Sequence, residues 1–182
     1  MIPIYLDPAA TRIALIGRDA LALRRLNWLR AGGASPDVWS DAPSAAFTEA
    51  ATLVPRLPSA EEIGVYHAIW IADLPREDSE VLATAARARN VLVNVEDCLP
   101  LCDFHTPAVV RRGKLTLTAG TGGASPAVAR AARERLELAF PPAWGVVLDE
   151  IALARSALRA RNASFDALIA DARERLAHSG LV

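Results

Sequence analysis

Short apolar runs set between stretches of helical periodicity constrain this chain more than any other feature. They are Ile13-Ala14-Leu15-Ile16, Ala68-Ile69-Trp70-Ile71-Ala72 and Val91-Leu92-Val93-Asn94-Val95. A strand that does not alternate with polar residues has both faces covered, as in a parallel sheet flanked by helices. Between the runs, Leu21 to Arg30 and Ser79 to Arg89 carry helical spacing. Gly32-Gly33 stops the first helix, and Ser79 is expected near the cap of the second. Asp37-Val38-Trp39 and Lys114 to Thr118 are further strand candidates. A helix is expected from about Pro126 to Leu138, Pro141-Pro142 marks a boundary, and two helices follow with a break at Arg161-Asn162-Ala163-Ser164. Strands alternating with helices predict an α/β fold with a Rossmann-like parallel sheet, whose ligands bind beyond the carboxyl ends of the strands.

Composition narrows the function classes. The 182 residues are 52% hydrophobic, and 20 Lys plus Arg against 21 Asp plus Glu give a net charge of −1. A chain of this size buries a core without staples. The neutral balance argues against a protein that grips nucleic acid by bulk charge. Cys98 and Cys102 are the only cysteines, spaced C-x3-C with no second pair, so they build neither a disulfide framework nor a four-ligand zinc site and read as packing residues. No apolar run approaches the roughly 20 residues of a membrane span, and the Met1 to Asp7 segment lacks the features of a signal peptide. A cytoplasmic protein without nucleic-acid or membrane partners is expected.

The turn Gly17-Arg18-Asp19-Ala20-Leu21-Ala22 joins the first strand to the first helix, where a dinucleotide fold carries G-x-G-x-x-G/A. Gly17 supplies the tight turn and Ala22 the close helix packing. Asp19 stands where a second glycine normally lets backbone approach phosphate, and a carboxylate there takes room and repels. Asp19 capping the helix is the structural alternative. Asp41, roughly 20 residues on, lies where an acidic side chain accepts the ribose hydroxyls of NAD, or is simply an exposed loop residue.

Three motifs then follow in order: Asn94-Val95-Glu96-Asp97; Cys102-Asp103-Phe104 running into Pro107-Ala108-Val109-Val110-Arg111-Arg112-Gly113; and Thr121-Gly122-Gly123-Ala124-Ser125-Pro126. Together with the opening Pro3-Ile4-Tyr5-Leu6-Asp7, they resemble the precorrin-2 dehydrogenase and sirohydrochlorin ferrochelatase family, the N-terminal module of siroheme synthase. The resemblance covers nearly the whole chain. It implies a dinucleotide-binding domain over residues 1–113, a segment at 114–143 that pairs two subunits into a homodimer, and a small helical C-terminal domain at 144–182, with the active cleft between these parts.

Matched position by position, the resemblance implies that Asp97 is the acid/base. Gly17, Ala20, Leu21, Asp41 and Ala42 fall on cofactor contacts. Thr121 falls at the tetrapyrrole cleft, with Gly122, Gly123 and Ser125 at the helix start beside it. The implied activity is NAD-dependent oxidation of precorrin-2 to sirohydrochlorin, with ferrous iron as the substrate of a further insertion step. Such a substrate carries many carboxylates, for which Arg111, Arg112, Arg130 and Arg133 are available. Ser125 before Pro126 is also an ordinary helix cap. His105 reads as a hydrogen-bonded structural residue, or as a contact to metal or a substrate carboxylate. The degenerate turn keeps two alternatives open: a cofactor-independent tetrapyrrole metal chelatase, and a non-catalytic tetrapyrrole-binding protein.

Overall fold

The computed structural model describes residues 1–182 as two compact units, Met1–Thr106 and Pro107–Val182. In the first, β1 (Ile13–Gly17), β2 (Asp37–Trp39), β3 (Ala68–Ala72) and β4 (Leu92–Val95) form a sheet in the order β2-β1-β3-β4. All three pairings are parallel. Helices α1 (Ala20–Ala31), α2 (Ala45–Ala50), α3 (Ala60–Ile63) and α4 (Arg76–Arg87) lie in the connections.

Every residue of β1 and β3 is buried. Leu15, Trp70 and Ala72 pack with Ala22, Leu26 and Leu29 of α1 and Phe47 of α2. Ala14, Ile16, Ile69 and Ile71 pack with Ile63 of α3 and Leu82, Ala83 and Ala86 of α4. The apolar runs therefore have the two-sided cover that their lack of alternation implied, and the Rossmann-like parallel sheet is as expected. The chain steps from β1 outward to β2 and then back across to β3, so the carboxyl ends of β1 and β3 form the topological switch point.

One boundary differs from the sequence reading. Ser79 is 3% exposed inside α4, which begins three residues earlier after Pro75. Its first turn is Arg76-Glu77-Asp78, and acidic residues there complement the helix dipole as well as a hydroxyl cap would.

In the second unit, β5 (Ala108–Arg112) and β6 (Leu115–Ala119) form an antiparallel hairpin, followed by α5 (Pro126–Ala139), α6 (Ala143–Ala160) and α7 (Phe165–His178). The hairpin turns at Gly113, whose φ of 57° suits glycine. It straddles the boundary drawn between residues 113 and 114, because β5 pairs with β6. Gly145 sets the approach of α6, since a Cβ there would lie 2.9 Å from the carbonyl carbon of Arg112. No helix is long and apolar enough to cross a membrane.

Candidate functional site

The glycine turn is built by close packing. A Cβ on Gly17 would stand 2.5 Å from the carbonyl oxygen of Ala72 and 2.6 Å from the Cβ of Ala22. Only glycine fits, and Ala22 is as large as the helix can be there. Ala20 and Leu21 open α1 immediately beyond.

Asp19 occupies the N-cap position of α1, yet its side chain makes no capping hydrogen bond. The carboxylate that caps the helix comes from Asp73, one residue past β3. Its Oδ2 accepts from the amides of Leu21 at 2.7 Å and Ala22 at 3.0 Å. Asp73 sits at φ 56°, a left-handed conformation that Asp tolerates better than most residues. The expectation that Asp19 caps the helix is thus corrected: the free amides and positive dipole end of α1 draw a carboxylate, and it arrives from the neighbouring strand.

Asp41 and Ala42 follow β2 and are exposed. Asp41 is not a lone loop carboxylate. The guanidinium of Arg18 donates to both its oxygens, each at 2.7 Å, and also to Asp78 of α4 at 3.1 Å. The hydrogen bonds and charge of Arg18 hold the Asp41 carboxyl below its ordinary range. The amide of Ser44 donates to the carbonyl of Arg18 at 2.8 Å, tying the segment after β2 to the glycine turn.

These residues fit a dinucleotide. Gly17 has no room for a side chain, the α1 amides already hold an anion in the form of the Asp73 carboxylate, and an acidic acceptor stands at the end of β2. Phosphate would take the amides of Leu21 and Ala22 by displacing Asp73.

Asp97 follows β4 on a left-handed turn, φ 58°, with its side chain exposed. Glu96 beside it turns inward and pairs with the buried Arg25 and, at 2.6 Å, with Arg24 of α1. Burial pushes the Glu96 carboxyl up, but the hydrogen bonds and charges of the two arginines outweigh it and leave the group below its ordinary value.

The rest of this motif region fastens the edge of the sheet. The Asn94 amide donates to the Phe104 carbonyl at 2.8 Å, and the Cys102 thiol accepts from the amide of Val95 at 3.3 Å. Burial pushes the Cys102 thiol up, which suits the packing role expected of it. The Nδ1 of His105 is buried without a hydrogen-bond partner, so that atom does not serve the hydrogen-bonded structural alternative.

In the second unit, the Thr121 hydroxyl donates to the Ser125 carbonyl and accepts from the Ser125 amide, both at 3.2 Å. Ser125 in turn caps α5 through the amide of Val128 at 3.3 Å. Gly122 and Gly123, at φ 66° and 84°, make the bend that this closure needs. Of the arginines offered to substrate carboxylates, Arg112 donates to the carbonyls of Phe140 at 2.6 Å and Glu137 at 3.3 Å, finishing α5. Arg130 and Arg133 pair along the helix with Glu134 and Glu137. No group of three or more His, Cys, Asp or Glu side chains is arranged to hold a metal ion.

The structure therefore gathers Gly17, Ala20, Leu21, Asp41 and Ala42 at the carboxyl ends of β1 and β2. Asp97 lies past β4, and the Thr121 to Ser125 loop belongs to the other unit. Sequence reasoning missed Asp73 and the partnership of Arg18 with Asp41 and Asp78. The pair Arg24-Arg25, on a helix with an apolar face, was the one available hint of Glu96.

Comparison with known proteins agrees with this picture. Residues 4–108 match the model of a family described as putative NAD(P)-binding. A siroheme synthase of Methylococcus capsulatus is 32% identical over 151 residues, covering 80% of this chain and 32% of the relative. A siroheme synthase of Chromobacterium violaceum is 32% identical over 170 residues, covering 91% and 36%. The chain thus spans about a third of the length of these relatives. Among solved structures, the fold resembles that of SirC, precorrin-2 dehydrogenase, with a TM-score of 0.75 at 20% identity, over 96% of this chain and 88% of that one. The motif resemblance is borne out, and by a match over more than half of its length the chain belongs to the putative NAD(P)-binding family.

Proposed function

We propose that this protein oxidises precorrin-2 to sirohydrochlorin in siroheme biosynthesis, with a nicotinamide dinucleotide as electron acceptor. The observation that carries the reading is Gly17, which admits no side chain where β1 turns into α1, followed by α1 amides that already hold a carboxylate at the switch point of the sheet. The names of the siroheme-synthase relatives and of the structural neighbour support the substrate.

When bound, the nicotinamide supplies the hydride acceptor. Gly17, Ala20 and Leu21 hold the dinucleotide at the head of α1, while Asp41 and Ala42 meet its ribose. The oxidation breaks a substrate C–H bond whose electron pair leaves as hydride, and a second hydrogen leaves as a proton to Asp97. The inward pairing of Glu96 holds the turn on which Asp97 is exposed, so the base is presented to solvent and substrate. Thr121, Gly122, Gly123 and Ser125 bind peripheral carboxylates of the tetrapyrrole at the start of α5.

This reading assigns cofactor binding to residues 1–113, subunit pairing to 114–143 and a helical domain to 144–182. Pairing is supported by the thin core of the second unit. Of its apolar side chains only Val110 and Leu168 are buried, whereas on α5 Val128 is 58% and Leu138 76% exposed. A homodimer that covers α5 has a mass twice that of the chain in solution.

A second reading, in which the chain is a cofactor-independent chelatase or a tetrapyrrole-binding protein, is favoured by Asp19 in a glycine position. There ferrous iron is a substrate and Asp97 accepts pyrrole protons. Anaerobic mixing of the purified protein with precorrin-2 and NAD, and in a second sample with sirohydrochlorin and ferrous iron, separates the two. Formation of NADH supports the dehydrogenase, and a spectral change that requires iron and not NAD supports the chelatase.

A further inference from the structure

Arg25 of α1 and Glu96, the residue after β4, form an ion pair enclosed from both sides, with side chains 10% and 11% exposed. The Arg25 guanidinium also lies 5.1 Å from the Trp28 ring, and its Nε–H is buried without an acceptor. Stability does not account for this arrangement. Two charges taken out of water cost enough that replacing both together by apolar side chains of similar volume is commonly neutral or stabilising, and an unmet donor adds to the cost. What the pair does hold is the turn after β4. There Asp97 sits at φ 58°, a conformation that persists where its surroundings fix it. The Glu96 amide donates to the Ile71 carbonyl at 2.9 Å and the Cys98 amide to the Val95 carbonyl at 3.2 Å, so the backbone ties the turn to the sheet and the Glu96 side chain ties it to α1.

We propose that Arg25 is a positioning residue for the oxidation: by gripping Glu96 it sets where the neighbouring Asp97 carboxylate stands relative to the cofactor. The inference rests on the nicotinamide reading above, with Asp97 as the base, and deepens it. In that reading the amides of Leu21 and Ala22 take cofactor phosphate, and Arg25 follows about one turn further along the same helix. One rigid element thereby carries the cofactor at its head and anchors the base at its second turn. The Asp97 side chain is exposed, so its place is set through the backbone of the turn and not by packing of its own. Placement matters at this scale, because a shift of about 1 Å in a reacting group costs about a hundredfold in rate. Arg24 grips the other oxygen of Glu96 at 2.6 Å, but its side chain is 64% exposed and a pair open to water holds less firmly. The buried arginine is therefore the anchor.

Replacing both members together separates positioning from stability, because no charge is left unpaired. Arg25→Met with Glu96→Met in the full chain should melt in urea no earlier than the wild type and bind NAD with an affinity within about twofold in calorimetry. Its kcat for NADH formation from precorrin-2 should nevertheless fall by at least about tenfold. The same double replacement made on top of Asp97→Ala should change the residual rate by less than about twofold, since no base remains to be placed. If the methionine pair does not fold, Arg25→Leu with Glu96→Gln, which also leaves no unpaired charge and keeps an acceptor for Arg24, carries the same comparison. A folded double variant with the kcat of the wild type, or a fall of equal size with and without Asp97, overturns the positioning role while leaving the nicotinamide reading standing. No NADH from the wild type overturns both.

Discussion

Asp103 completes the sheet at Val93. Its amide donates to the Val93 carbonyl at 2.8 Å, and its Oδ2 accepts from the Val93 amide at 3.1 Å, so an aspartate stands where a fifth strand would pair with β4. Oδ1 meanwhile takes Arg87 of α4 at 2.8 Å. Asp103→Ala leaves the Val93 amide without its acceptor at a part-buried edge and releases Arg87. Urea denaturation should show a loss of roughly 1–3 kcal/mol, with cofactor binding retained in the folded fraction.

Gly17→Ala should cost more than a surface change. The added methyl would press on the Ala72 carbonyl and on Ala22, both held by the core. A destabilisation of roughly 1–3 kcal/mol is expected from such overpacking, together with weaker dinucleotide binding. Denaturant melts and cofactor titration of the same variant check the two effects.

Glu96 gives the protein a defined acid sensitivity. Its folded carboxyl lies below its ordinary value, so its contribution to stability is complete above the ordinary carboxylate range and is lost as the pH falls through the lowered folded value. Glu96→Gln leaves Arg25 buried without a counter-charge and should destabilise by roughly 3 kcal/mol near neutral pH. Thermal melts of both proteins from neutral to acid pH should show the difference shrinking as Glu96 protonates in the wild type.

Asp73 and a bound phosphate compete for the amides of Leu21 and Ala22. Asp73→Gly removes the internal carboxylate and relieves the left-handed backbone at φ 56°. Lower stability from the lost cap, by roughly 1 kcal/mol, should accompany tighter binding of dinucleotide. Calorimetry on the folded variant measures the second effect, and unchanged or weaker binding would contradict the competition.

The sequence reveals the parts of the fold in which one residue pattern has one physical cause. β1 and β3 are buried on both faces, and their unbroken apolar runs can be read directly. Gly17 and Ala22 are legible because the turn leaves no room for other residues. α2 and α3 escape because six and four residues are too few to display a helical period. β5 escapes because none of its residues but Val110 is buried and its last two are arginines. Within the site, the Asp73 contact to Leu21 and the Arg18 contact to Asp41 join positions 52 and 23 residues apart. Tertiary structure alone brings such partners together, and no local pattern announces them. The motif that identified the family also proves to be largely structural, since Asn94, Cys102 and Asp103 spend their polar atoms on fastening β4 and the segment after it.

The central claim is that this chain passes two electrons from a reduced tetrapyrrole to a nicotinamide, with Asp97 taking the proton. Following NADH absorbance after anaerobic mixing of precorrin-2, NAD and either wild-type protein or Asp97→Ala tests it most directly. The wild type should form one NADH for each sirohydrochlorin, and the variant should be slower by at least about a hundredfold. No NADH from the wild type, or equal rates from the two proteins, would contradict the account.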